Sequence, residues 1–99
     1  MEAALTYQAF SQNLNTKFQV PLDDSHRVEL ELAEISEHKK SPGQEEFALL
    51  FRGARELFLG QGLRPFEHDQ MGKFDLFIVP VRLNEEGYYY EAVFNRFVE

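Results

Sequence analysis

The 99 residues read as a mainly β domain. Six short antiparallel strands are expected, closed as a small barrel or stacked as a two-layer sandwich, with one short N-terminal helix. Three observations carry this reading. Apolar and polar residues alternate with period two in several runs, most plainly Val28, Leu30 and Leu32 against Arg27, Glu29 and Glu31. Ten Phe and four Tyr with no Trp supply flat rings that suit sheet packing better than a helical seam. Turn residues recur at short spacing, and an open sheet of that many strands would leave long edges exposed, so the sheet should close or stack. A chain of this length removes roughly 60 to 70% of its unfolded surface on folding, enough for one domain over residues 1–99.

The elements follow in order. Thr6 stands where an N-cap belongs, and Tyr7, Phe10 and Leu14 share one face of a short amphipathic helix that ends near Asn15. So short a helix is marginal in water and is expected to lie on the sheet. Residues 17–20 form a strand stopped by Pro21, and Asp23-Asp24-Ser25 turns the chain into the alternating run from His26. Ile35 has the opposite parity to Leu32, which places a β-bulge near Ala33 and Glu34. Residues 38–45 carry almost no apolar side chain and contain Pro42-Gly43, the signature of a mobile hairpin tip, with 39–45 dispensable. Residues 46–52 are apolar on both sides, with Phe47, Leu49 and Phe51 opposed to Ala48 and Leu50, as in a central strand. Residues 53–62 read as a folded-over connection whose Leu57, Phe58 and Leu59 plug one end of the core. Leu63 begins a strand that Pro65 demotes to an edge or a bulge. The last two strands, around Leu76 and Val93, should pair in the middle of the sheet through a hairpin longer than the two-residue type, completing a meander.

Charge and composition exclude several functions. Seventeen acidic against ten basic side chains give a formal charge of −7, which repels nucleic-acid phosphates and anionic lipid, so neither is an expected partner. Without Cys there is no disulfide, thiolate zinc site or thiol nucleophile. The first residues lack a basic region and a long apolar run, so the expectation is a cytoplasmic protein with no secretory signal and no membrane span.

The polar residues form no recognisable catalytic set. His26, His38 and His68 match no ligand spacing, so no metal and no cofactor is expected. Glu67, His68 and Asp69 are adjacent, and neighbours on a strand point to opposite faces, which favours a hydrogen-bonded turn anchor over an acid–base relay. Ser11, Ser25, Ser36 and Ser41 lie outside any nucleophile elbow, and Gly60-Gln61-Gly62 lacks phosphate-loop spacing. Glu29, Glu31 and Glu37 read as a solvated strand face, with a cation or a basic partner as the alternative.

The informative anomaly is an apolar surplus. Phe77, Val79 and Val81 face away from Phe74, Leu76 and Ile78, and Tyr89 and Val93 face away from Tyr88, Tyr90, Ala92 and Phe94. Either the helix covers Phe77, Val79, Val81, Tyr89 and Val93, or a partner does, by self-association or as a second protein.

The runs at 47–53 (Phe-Ala-Leu-Leu-Phe-Arg-Gly), 61–68 (Gln-Gly-Leu-Arg-Pro-Phe-Glu-His), 75–81 (Asp-Leu-Phe-Ile-Val-Pro-Val) and 90–95 (Tyr-Glu-Ala-Val-Phe-Asn) resemble a family of small uncharacterised bacterial proteins. Each run is a packing pattern and none is catalytic. The resemblance implies no activity, but it implies company with phage-tail-like and collar-type tail-fibre proteins. Pro65-Phe66 departs from the uninterrupted strand of the pattern. The leading expectation is a non-enzymatic interaction or assembly module. The alternatives are a small-ligand carrier whose barrel mouth uses Glu67, His68 or Arg64 to orient a polar group, and an enzyme too divergent to show a motif.

Overall fold

The computed structural model describes residues 5–36, 39–41 and 44–97. Helix α1 (Tyr7–Gln12) leads into β1 (Lys17–Pro21), β2 (Arg27–Ile35), β3 (Lys39–Ser41), β4 (Gln44–Gly53), β5 (Gly62–His68), β6 (Gly72–Asn84) and β7 (Gly87–Phe97). Strands β1, β2, β4, β7, β6 and β5 pair in that cyclic order, all antiparallel, so the sheet closes into a six-stranded barrel rather than a sandwich. The short β3 carries the line of β2 onward and pairs with the start of β4.

The closure is not a simple meander. Hairpins join β1 to β2 and β2–β3 to β4, and a second meander runs β5–β6–β7, but β4 pairs along its length with β7 and not with β5. Residues 54–61 therefore cross one end of the barrel. Of the three side chains expected to plug that end, only Leu59 enters, while Leu57 and Phe58 stay exposed and Phe58 leans edge-on against Tyr88. The Tyr90 hydroxyl holds the crossing segment, accepting from Leu59 N at 2.9 Å and donating to the Leu57 carbonyl at 3.4 Å.

The helix has a different post from the one its stripe suggested. Its N-cap is Thr6, whose Oγ1 accepts from Ala9 N at 3.1 Å, and the chain leaves through Asn15 at φ 67°, a left-handed position that Asn tolerates. Phe10 is fully buried among Phe18, Phe47, Phe74 and Phe94, closing the barrel end opposite residues 54–61, and Leu14 is exposed. The helix thus lies over the inward-facing rings and not over Phe77 or Val79. The physical reason is volume: a six-stranded barrel tapers around a few side chains per layer, and its open end needs a ring to fill it.

Period-two alternation built the walls as read. Phe18 and Val20, Val28, Leu30 and Leu32, Phe47, Leu49 and Phe51, Phe66, Leu76 and Ile78, and Tyr90 and Ala92 all turn inward and are buried. Full burial of each large apolar side chain stabilises by about 1.5–3 kcal/mol. The β2–β4 register shifts between Leu32 and Glu34, the bulge anticipated from Ile35.

Two further expectations are corrected. The β6–β7 hairpin is tight, because β6 passes a bulge between Pro80 and Arg82 and continues to Asn84, which pairs with Gly87 across Glu85 and Glu86. Asn84 Oδ1 accepts from Glu86 N at 2.8 Å and sets the reversal. The stretch 39–45, expected as a free tip, is largely paired: Lys39–Ser41 pairs with Gln44–Glu46 and Glu45 is buried, its Oε1 3.4 Å from Tyr7 N. The tip at Pro42-Gly43, together with Glu37 and His38, lies outside the described residues.

The weakest joint is the β1–β5 seam, bridged only at Gln19↔Glu67. Continued by two residues, that register sets Pro21 opposite Pro65, a pairing to which neither brings an N–H. A side-chain pair supports the joint from outside, Arg27 to Glu67 at 2.8 Å. No helix among the described residues is long and apolar enough to cross a membrane.

Candidate functional site

The strand registers lay the outward side chains of β5, β6, β7, β4 and β2 in rows that run across the sheet. One row is Arg82, Tyr89, Arg52, Glu31 and Lys17, each directly opposite the next. It is a charge ladder. Glu31 Oε1 receives Lys17 Nζ at 2.9 Å and Arg52 Nη2 at 3.0 Å, while Arg52 Nη1 reaches Glu86 at 2.9 Å. The Lys17 hydrogen bond first, and the nearby Arg52 charge after it, hold the Glu31 carboxyl below its usual range. The Arg52 guanidinium is held more firmly protonated, first by the Tyr89 hydroxyl and then by Glu31. The Arg82 guanidinium lies 4.3 Å from the centre of the Tyr89 ring. Tyr89 is consequently only 6% exposed and is not part of an open apolar surface.

The next row is Val79, Glu91, Leu50 and Glu34. Beyond it the β6–β7 register, continued from Val79↔Glu91, sets Phe77 opposite Val93. Leu63 pairs with Phe77 and Ala48 with Val93, so Leu63, Phe77, Val93 and Ala48 form an apolar row across four strands. Leu63 is 65%, Phe77 52% and Val93 69% exposed. Pro65, Asp75, Asn95, Glu46 and, on β3, Lys39 make the row on its far side. A groove of about 230 Å³ continues the apolar row over β4 and β7, lined by Ser36, Glu46, Phe47, Ala48, Val93, Phe94 and Asn95.

Of the five residues picked from the sequence, Phe77 and Val93 stand together on this face. Val81, at the β6 bulge, is exposed further along the strand, Val79 is half-buried, and Tyr89 is covered. Leu63 was missed. The signal was present, because Phe66 turns inward and strand parity then turns Leu63 outward. The acidic rows were out of reach, since they depend on which strands pair.

The polar candidates resolve into structural roles. His68 Nδ1 accepts from Gln70 N at 3.0 Å and Met71 N at 3.2 Å, while Nε2 lies 2.8 Å from Thr16 Oγ1, which itself donates to the Asn13 carbonyl at 2.6 Å. Those partners assign the neutral ring with its hydrogen on Nε2. Burial lowers the pKa of His68 against the opposing pull of Asp69. Glu67 faces Arg27 instead, and Asp69 is exposed in the turn, so the three adjacent residues share no proton path. His26 pairs with Asp23 in the β1–β2 turn. No group of three metal-ligating side chains gathers among the described residues. Ser36 Oγ accepts from Ala48 N at 2.7 Å, as a backbone tie.

Inside the barrel, Phe10, Phe18, Phe51, Phe66 and Tyr90 fill the section with no exposed surface. At the mouth, Arg64 donates to the Gly60 carbonyl at 3.1 Å, and its buried Nε has no hydrogen-bond partner. The fold and surface together define a closed antiparallel β-barrel with a ring-packed interior and an apolar outer row. The family model for a domain of unknown function, DUF6916, matches residues 5–94, and the chain belongs to that family. No curated protein and no solved structure matches the chain.

Proposed function

We propose that the chain is a non-enzymatic interaction module that takes a protein partner on the outer face of β5, β6 and β7. The observation that carries the reading is the row Leu63, Phe77 and Val93, three large apolar side chains more than half exposed on adjacent strands. Full burial of such a side chain is worth about 1.5–3 kcal/mol, and each forfeits roughly half or more of that while it stays in water, which favours a covered face. The ring-filled interior supports this reading over a carrier, because a ligand pocket on the order of 300 Å³ would have to displace Phe or Tyr rings. The association that the family resemblance brings makes a cytoplasmic, phage-tail-like assembly the first place to seek the partner. Arg64, with its unpartnered buried Nε, supports a second reading, a small anionic ligand held at the barrel mouth.

The test is a random peptide-display selection on the native protein, with Phe77→Glu and Val93→Glu as counter-baits. Both positions are exposed, so both variants should melt near the native temperature. Binders that recognise the native chain and lose both variants support the module. An empty selection, or binders indifferent to both changes, overturns it.

A further inference from the structure

Resting on that reading, we infer that the occupant of the apolar row is a partner segment whose apolar anchors are flanked by lysine or arginine, and not a second copy of this chain. The row is bordered on one side by Asp75 and Glu46 and on the other by Glu91 and Glu34. Asp75 precedes Phe77 by two residues on β6, and Glu91 precedes Val93 by two on β7. The bordering rows therefore lie about 7 Å to either side of the anchors. Lys39 stands opposite Glu46 at the β3 end of the far row. Lys73, two residues further out than Asp75 along β6, stands opposite Glu67, and Arg82 is engaged with the Tyr89 ring and with Glu34 at 3.8 Å. Asp75 and Glu91, each two residues before an apolar anchor, therefore carry the charge selection. Apolar anchors set the position of the segment, and these two carboxylates select the sign of its flanks.

A second copy fits poorly. A two-fold pairing through this face brings the same acidic borders of both copies together, and each copy carries a formal charge of −7. Strand addition is also closed off at the centre of the face, because β6 and β7 each have neighbours on both sides. The segment must dock by its side chains.

The test uses a peptide with a Leu/Phe/Val centre flanked by lysines, and the same peptide with glutamate flanks, titrated against the full chain and against Asp75→Lys/Glu91→Lys. Thermal melting first checks that the double variant folds as the native chain does. We expect the lysine peptide to bind the native chain about tenfold or more tightly than the glutamate peptide, an advantage that fades with added salt and reverses on the double variant. Phe77→Glu should abolish binding of the lysine peptide. Equal binding of both peptides, lost in Phe77→Glu, overturns the charge selection and leaves the interaction module standing. Absence of binding by either peptide overturns the inference, while the display selection judges the module independently. Sedimentation that shows a native dimer dissolved by Val93→Glu assigns the face to a second copy and overturns it as well.

Discussion

Gly87 offers the sharpest test of the barrel's geometry. It stands at φ 143°, and a methyl group built on its Cα would overlap the carbonyl oxygen of Gly53 and lie 3.1 Å from the Gly53 carbonyl carbon. Those atoms are backbone of β4, paired with β7, and cannot swing aside as a side chain would. The backbone strain of an L residue at that angle costs about 1–3 kcal/mol. Forcing the extra carbon into a packed site adds about 1–3 kcal/mol. Gly87→Ala is therefore expected to lose about 2–6 kcal/mol, a fall of about 10 °C or more in melting temperature for a domain of this size. Two other glycines separate the terms. Gly72 has φ 81° with nothing within 4 Å of an added Cβ, so Gly72→Ala carries only the left-handed penalty, about 1–2 kcal/mol. Gly60 has neither problem, its nearest neighbour being Arg64 Nη2 at 4.0 Å, and Gly60→Ala should be neutral or slightly stabilising. Thermal and urea denaturation of the three variants give the ranking directly. A Gly87→Ala protein no less stable than Gly72→Ala would refute the argument from the Gly53 contact.

Phe10→Ala should cost about 3–5 kcal/mol, since the ring is fully buried among four others at the barrel end; a urea-derived loss below about 1 kcal/mol would mean that the helix does not close the barrel. His68 gives stability a pH dependence whose sign follows from its lowered pKa. The unfolded ring binds protons more readily than the folded one, so its contribution is complete above the ordinary value of 6.5 and is lost as pH falls through the lower folded value. Protonation at Nδ1 would also break the two bonds to Gln70 N and Met71 N. Urea midpoints between about pH 7 and 5 should decline for the native chain and flatten in His68→Asn, and parallel profiles would count against this role.

Local pattern made the walls legible. The alternation through Val28, Leu30 and Leu32, the bulge betrayed by Ile35, the Thr6 cap and the double-sided apolar run of β4 are all contained in a few consecutive residues. What was not legible depends on distance along the chain. The pairing of β4 with β7 rather than β5 follows from global closure, and an alternating strand presents the same pattern to any neighbour. Phe10 read as one member of a surface stripe because nothing in the helix says whether it meets the outside or the end of the sheet. Tyr89 read as open surface because Arg82 reaches it only across the β6 bulge. The acidic borders of the apolar row appear only when Asp75, Glu91, Glu46 and Glu34 are brought side by side from four strands.

The seam between β1 and β5 bears on what happens when the barrel opens. Released at its single bridge, the barrel unrolls into a linear sheet in the order β1, β2, β4, β7, β6, β5, with every other pairing kept. The two strands left at the margins are then the ones that contain Pro21 and Pro65. A margin interrupted by proline is a poor template for a passing strand. We expect amide exchange to be fastest on β1 and β5 and slowest where β4 meets β7, and uniform protection around the ring would contradict that order. A barrel that opens at this joint exposes its least adhesive edges, so that transient opening need not lead to aggregation.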